Sequence, residues 1–199
     1  MKGICFKEPL FDATIKGRKI QTRRIINPQP DGDIYKNSFG YFDAHKGSKA
    51  KEHKPKYKFG ETVYLKEPYF LVDYRGGLIN SKCGKTVIYK YGTRHENNKG
   101  IWKNKLFMPE KYARYFIEIT GVRCERLQDI SFDDILKEGI YEEKNIHSGR
   151  LWYFSDKKHY GGSVNPHETY ADLIDRIDGK GTWDSNPYVW VYSFILILL

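Results

Sequence analysis

The chain has 199 residues, 40% of them hydrophobic and 16% aromatic, which is enough apolar material to fill the core of one folded domain. Lys and Arg number 34 against 25 Asp and Glu, giving a formal net charge of +9. This composition excludes global disorder, and the positive excess favours an anionic partner such as a nucleic acid or a nucleotide.

The cysteines and the C-terminal residues argue against a metal centre and a membrane anchor. Cys5, Cys83 and Cys124 are isolated, and the six histidines are scattered. We therefore expect no metal ion or other cofactor, and a reducing, cytoplasmic setting. No apolar signal-peptide core stands at the N-terminus. The apolar stretch 188–199 is shorter than the roughly 20 residues of a membrane-spanning helix, and its β-branched and aromatic content predicts a buried strand.

The first elements predicted along the chain are a short strand and a helix. Ile4 and Phe6 indicate the strand. Pro9 suits the first turn of the helix, because the missing N–H would be unpaired there in any case. The helix should pack inward through one face, made of Leu10, Phe11, Thr14 and Ile15. Gly17 is placed to end the helix in a left-handed conformation.

The segment that follows this helix, residues 17–24, concentrates positive charge. It places the Lys19 ammonium beside the Thr22 hydroxyl. Three guanidinium groups accompany them, those of Arg18, Arg23 and Arg24. A guanidinium group stays charged and binds two oxygens at once, so we predict that these arginines contact the phosphates of a nucleic acid. The alternative is a basic loop that lies in solvent and binds nothing.

Strands with irregular segments between them are predicted in the middle of the chain. From residue 27 to 58 the apolar pattern is lost and lysines accumulate, which predicts a surface insertion that lies along a charged ligand or simply in solvent. Val63 and Leu65 alternate as in a strand, and residues 87–91 indicate another. The clearest strand runs over residues 116–127, with a β-bulge at Gly121, where the alternation slips by one residue.

Two more helices and a final strand complete the pattern. Ser131 and Asp134 form a capping-box-like pair that begins a short helix, and Gly139 ends it. A third helix is predicted over residues 166–177 and the last strand from residue 188. Separated strands with few helices predict an α+β fold built on a small, mostly antiparallel β-barrel with short flanking helices, since closure hides edge strands.

The spacing Gly17-x-Lys19-x-x-Thr22-x-Arg24 resembles the signature of the ASCH domain, a β-barrel family structurally related to the PUA RNA-binding domain. Three later stretches are similar to its larger, often phage- or prophage-encoded members: residues 60–67, 122–139 and 183–192. The resemblance implies a single ASCH/PUA-like domain over residues 1–199. The same domain would carry surface insertions at about residues 27–58, 68–110 and 141–180.

Two functions follow from this resemblance. The first is binding of RNA or of a modified nucleotide or nucleoside in a basic cleft lined by the motif. The second is amide hydrolysis, because a bacterial subgroup with Thr in the motif releases cytidine from N4-acetylcytidine. The active residues of that subgroup fall here on Lys19, Thr22 and Glu138. This chain departs from the subgroup in having Ile20 where Thr is usual, and in being much longer. A host protein as partner remains a third alternative.

Amide hydrolysis would require particular properties of these residues. Either Thr22 or a water is the nucleophile, and it must give its proton to a base. Lys19 can be that base only as a neutral amine, with its pKa lowered by about 3 units from about 10.4. The alternative for Glu138 is an exposed carboxylate paired with Lys137 or an arginine. For Arg24 the alternative is a bracing role, with Glu67 as the expected partner.

Overall fold

The structure, a computed structural model, describes residues 1–37, 40–43, 51–73, 85–91, 102–144, 149–155 and 162–197. Its α-helices are α1 (Glu8–Ile15), α2 (Phe132–Lys137) and α3 (Pro166–Asp178). Its strands are β1 (Gly3–Cys5), β2 (Gln21–Ile25), β3 (Ile34–Asn37), β4 (Gly40–Asp43), β5 (Glu52–His53), β6 (Thr62–Lys66), β7 (Tyr69–Asp73), β8 (Lys85–Tyr89), β9 (Phe116–Arg126), β10 (Tyr141–Lys144), β11 (Leu151–Phe154) and β12 (Tyr188–Ile197).

Strands from both ends and the middle of the chain form the main sheet, in the order β1-β6-β9-β12-β2. β1 pairs with β6 in parallel, and the other neighbours are antiparallel. The smaller sheets are β3-β4-β5, β7-β8 and β10-β11, and all of them are antiparallel. The prediction of an α+β fold with mostly antiparallel strands and few helices is therefore confirmed.

The main sheet is open in the described part of the chain, whereas the sequence predicts a closed barrel. β1 and β2 are its two edges and do not pair with each other. β1 has only three residues before the chain turns into α1, which leaves little backbone to pair with β2. A side chain links the two edges instead, because Nη2 of Arg24 donates a hydrogen bond to the carbonyl oxygen of Cys5 at 2.8 Å.

The core of the main sheet follows the predicted pattern. Ile117 and Ile119 of β9 and Val191 of β12 are fully buried. The pairing of β9 with β12 changes register at Gly121, which lies opposite Ser193, while Ile119 lies opposite the next residue of β12. The extra residue on β9 confirms the predicted β-bulge. The final strand, predicted from residue 188, is also confirmed.

The helix ends bring two distant segments together. Gly17 has a φ of +72° and Gly139 a φ of +99°, so both helices end in left-handed turns as predicted. Ser131 caps α2 by accepting a hydrogen bond from the backbone N–H of Asp134 at 3.3 Å. A Cβ on Gly139 would lie 3.2 Å from Cβ of Lys19. The segment that follows α1 thus packs directly on the end of α2, and at position 139 only glycine fits both the positive φ and the short distance to Lys19.

The segments predicted as insertions contain regular structure where they are described. Residues 27–58 contribute the strands β3, β4 and β5, and Tyr57 is buried. Residues 141–180 contribute the β10-β11 hairpin and α3, the latter as predicted. Among the described residues we find no helix with the length and apolar character needed to cross a bilayer.

Candidate functional site

A cavity of about 180 Å³ lies between the exit of α1, strand β2, the end of α2 and α3. Its polar lining includes Lys19, Thr22 and Glu138, the three residues that the sequence predicts as catalytic. Its apolar lining consists of Phe6, Leu10, Leu173, Ile174 and Ile177. Lys7, Arg24, Lys105 and Asp178 also line it. The structure thus brings the three predicted catalytic side chains to the lining of one cavity.

Lys19 is buried, with 1% of its surface exposed. Its Nζ donates to the carbonyl oxygen of Gln21 at 2.7 Å, to that of Glu138 at 3.0 Å and to Oε2 of Glu138 at 2.6 Å. These bonds use all three N–H groups of an ammonium. Burial nevertheless lowers the pKa of Lys19 from its ordinary value of 10.5, against the opposing effect of Glu138 and with smaller help from Arg24 and Arg23. Lys19 therefore releases its proton more readily than a surface lysine.

Glu138 lies at the C-terminal end of α2 and is buried. Its Oε2 accepts the bond from Lys19, and its Oε1 accepts one from Nη1 of Arg23 at 3.1 Å. The alternative of an exposed carboxylate is therefore wrong, although the arginine partner it named is present. A carboxylate at a helix C-terminus is unfavourable for the helix, so these two cations account for its position.

Thr22 belongs to β2, the edge strand that the sequence presents only as a charged segment. It is buried and its backbone pairs with Tyr192 of β12. The residue lines the same cavity as Lys19. A hydroxyl in this position can give its proton to a base in the cavity.

Arg23, predicted to contact phosphate, points into the protein. Its Nε and Nη2 donate to Oε1 of Glu125 at 3.0 and 2.5 Å, and Nη2 also donates to Oδ2 of Asp134 at 3.1 Å. Its Nη1 donates to Oε1 of Gln21 at 2.8 Å and to Glu138. All five N–H groups of the guanidinium are thus occupied, and none is left for a phosphate. Arg23 organises the carboxylates around the cavity.

The other two arginines of the motif lie apart from each other. Arg18 is exposed, with its guanidinium 3.9 Å from the carboxylate of Asp12 and 5.3 Å from the ring centre of Tyr141. It lies outside the lining of the cavity. Arg24 lines the cavity and bonds to Cys5 as described above. Its expected pairing with Glu67 is wrong.

Glu67 pairs with Arg114 instead of Arg24. Both oxygens of its buried carboxylate accept bonds from Arg114, at 2.7 and 2.8 Å. Arg24 is turned away towards the edge of β1. Arg114 precedes β9 and lies 47 residues after Glu67. Local sequence spacing therefore does not predict this pair.

A groove of about 560 Å³ adjoins the cavity, and Cys5 and Arg24 line both of them. The cations along the groove are Arg24, Lys51, Lys54, Lys56 and Lys66, against the single carboxylate of Glu52. Tyr57, Trp190 and Tyr192 also line it, but all three are buried and form its floor. The groove is therefore positively charged, and buried aromatic side chains form its floor. Part of the lysine-rich segment 27–58 forms one side of it.

Tyr170 of α3 also lines the cavity, and the sequence argument does not single it out. The residue is fully buried, and its hydroxyl has no hydrogen-bond partner in the described part of the chain. Burial and the charge of Glu138 raise the pKa of Tyr170 well above its ordinary value, against the opposing effect of the nearby Arg23. A signal was present, since Tyr170, Leu173, Ile174 and Ile177 have the spacing of one buried helix face.

No protein-family model, curated protein or solved structure matches the chain. The ASCH resemblance therefore depends on the motif residues themselves, and the functions it implies are proposals.

Proposed function

We propose that the cavity hydrolyses an amide bond, with Lys19, Thr22 and Glu138 as its catalytic residues. The observation that carries the proposal is their convergence on one cavity, with Lys19 buried and paired to Glu138 at 2.6 Å. Strongly perturbed ionisable groups in a cavity are typical of active sites. The resemblance to the ASCH family names the substrate class, an N4-acylated cytidine, and the scaffold, a PUA-like barrel.

The size of the cavity limits what enters it. Pockets for drug-sized ligands measure about 300–1,000 Å³, and this cavity is smaller, about 180 Å³. It therefore suits an acylated base, while the ribose remains at the entrance. The apolar side chains of Leu173 and Ile174 offer a surface for the acyl group.

The first half of the reaction forms an acyl-enzyme. In its amine form Lys19 keeps two N–H groups on the carbonyl oxygens of Gln21 and Glu138, and its third position becomes a lone pair. The hydroxyl of Thr22 gives its proton to this lone pair, and its oxygen attacks the acyl carbon. The carboxylate of Glu138 stabilises the ammonium that forms. The carbon–nitrogen bond then breaks, and the leaving nitrogen takes the proton from Lys19.

The second half returns the enzyme to its starting state. A water gives a proton to Lys19 and attacks the ester carbon of acylated Thr22. The ester bond breaks, the oxygen of Thr22 takes the proton from Lys19, and the carboxylic acid leaves. One water is consumed and one amide is cleaved, with Lys19 carrying a proton in both halves.

The pH dependence of cytidine release from N4-acetylcytidine tests this proposal. We expect kcat/KM of the wild type to rise with pH through the pKa of Lys19, which lies below 10.5, because only the amine is a base. In Glu138→Gln the rise should move to lower pH, since the carboxylate that favours the ammonium is gone. The maximal rate should fall as well, because the amine becomes a weaker base.

The control for this experiment is Asp133→Asn, which removes an exposed carboxylate from the same helix. Its profile should coincide with that of the wild type. A rate that Glu138→Gln leaves unchanged at every pH would contradict the assigned role of Glu138. Absence of cytidine release by the wild type would remove the amidohydrolase proposal.

We propose binding of RNA or a nucleotide as a second function, because the basic groove is continuous with the lining of the cavity. Arg24 and four lysines line the groove. The aromatic side chains are buried in its floor, so contacts would come chiefly from the cations. Such contacts recognise phosphates and carry little sequence information. Arg18 lies outside both linings, and its predicted phosphate contact stays a prediction.

Salt dependence of binding to a short single-stranded RNA tests the second function. Fluorescence anisotropy should show affinity falling steeply as salt rises, because bound cations release counterions from the phosphates. Lys54→Ala and Lys56→Ala should each weaken binding and reduce the salt slope by about 1. Lys144→Ala, an exposed lysine of β10 outside the groove, is the matched control. Binding that ignores both groove variants would contradict this function.

A further inference from the structure

We infer that the hydroxyl of Tyr170 donates a hydrogen bond to the substrate oxygen that becomes negatively charged in the cavity. The inference depends on the proposed amide hydrolysis and adds a residue that neither the motif nor the resemblance provides. Attack on the acyl carbon converts its carbonyl oxygen into an oxyanion. The site needs a hydrogen-bond donor at that oxygen. Lys7, Arg24 and Lys105 also line the cavity but are exposed or half-buried. The donors to compare are therefore those of the buried side chains.

The two buried cations of the site have no free donor. The ammonium of Lys19 uses its three N–H groups on Gln21 and Glu138. The guanidinium of Arg23 uses its five on four side chains. When Lys19 is a neutral amine, it accepts a proton and its two N–H groups remain on carbonyl oxygens. Neither side chain can turn to an oxyanion without giving up a buried bond.

Tyr170 differs from both in having a proton with no acceptor. Its hydroxyl is the one buried side-chain polar atom, among the residues that the structure describes, that lacks a hydrogen-bond partner. Glu138 lies near enough to influence it electrostatically, but neither of its oxygens accepts a hydrogen bond from the phenol. Buried polar groups nearly always have a partner, and a hydroxyl that lines a cavity can complete its bond with a water or a ligand there.

The position of Tyr170 on α3 also orients the ligand. Leu173, Ile174 and Ile177 follow it on the same helix and line the same cavity. A carbonyl oxygen at the phenol would place a short acyl chain against these apolar side chains. α3 would then supply both the oxyanion donor and the surface that selects a small apolar acyl group.

Tyr170→Phe tests the inference, because it removes only the hydroxyl. In steady-state hydrolysis of N4-acetylcytidine we expect kcat to fall about 10²-fold, the loss typical of one oxyanion donor, with KM nearly unchanged. The melting temperature should not fall, since the hydroxyl makes no bond in the folded protein. Tyr188→Phe is the matched control. Its hydroxyl donates to Asp33 at 2.9 Å outside the cavity, so Tm should fall and kcat should stay the same.

The outcomes separate this inference from the function on which it rests. A wild-type kcat in Tyr170→Phe, or a fall in its Tm like that of Tyr188→Phe, overturns the inference and leaves the amidohydrolase in place. If the wild type releases no cytidine, the proposed function fails, and calorimetric binding of N4-acetylcytidine becomes the readout. Weaker binding to Tyr170→Phe then supports a ligand bond to the hydroxyl, and equal binding overturns it.

Discussion

Lys19→Met is expected to lower kcat for N4-acetylcytidine by about 10²–10⁴-fold, the range for loss of a general acid–base group. Methionine keeps the unbranched side chain up to Cε and so most of the packing near Phe6, whose ring centre lies 5.4 Å from Nζ of Lys19. It removes the atom that carries the proton in both halves of the reaction. Cytidine release under saturating substrate measures the effect directly.

Two comparisons make this result interpretable. Lys144→Ala changes an exposed lysine away from the cavity and should retain the wild-type rate. Lys19→Ala removes the same amine without filling its space, so its rate should fall equally while its Tm falls further. A folded Lys19→Met protein with wild-type turnover would remove the amidohydrolase proposal.

Arg23→Met is expected to destabilise the protein by about 3–5 kcal/mol, the cost of breaking a buried ion pair by removing one partner. The guanidinium is the shared counter-charge of Glu125, Asp134 and Glu138, and its side chain is only 1% exposed. Its loss leaves these carboxylates close together with fewer cations. Urea denaturation followed by fluorescence measures the change in the free energy of unfolding.

Arg123→Ala provides the control, because this arginine binds two of the same carboxylates from the solvent side. Its Nε lies 2.7 Å from Oε2 of Glu125, and its Nη2 also contacts Asp134. The side chain is 42% exposed, so water screens these pairs and the expected loss is about 0–1 kcal/mol. Equal losses for the two arginines would contradict the view that burial makes Arg23 the structural centre of the site.

The fold was predictable wherever hydrophobic spacing and turn residues agree. β9 with its bulge, β12, α2 and α3 are such elements. Strand β2 was not predictable, because Gln21, Thr22 and Arg23 are all polar, and polar residues are usually exposed to solvent. Arg23 can be buried because carboxylates more than 100 positions later in the chain accept hydrogen bonds from its guanidinium. Long-range pairing of this kind has no signature in local sequence.

In the candidate site, too, the sequence predicted some residues and not others. The resemblance, and not spacing, selected Glu138, and the structure places it against Lys19. Sequence reasoning assigned Arg23 to phosphate because its partners were unknown. It passed over Tyr170 because a tyrosine on an amphipathic helix normally indicates packing alone. Only the count of hydrogen bonds around its hydroxyl distinguishes it from a core residue.

The hydrogen bond from Arg24 to the carbonyl oxygen of Cys5 has a consequence for experiments on the motif. This contact joins the two edge strands, and both of its residues line the cavity as well as the groove. Removing the guanidinium would therefore change the linkage of the strands and the lining of both pockets at once. Weaker ligand binding by an Arg24 variant is therefore evidence of phosphate recognition only when its unfolding free energy matches that of the parent protein.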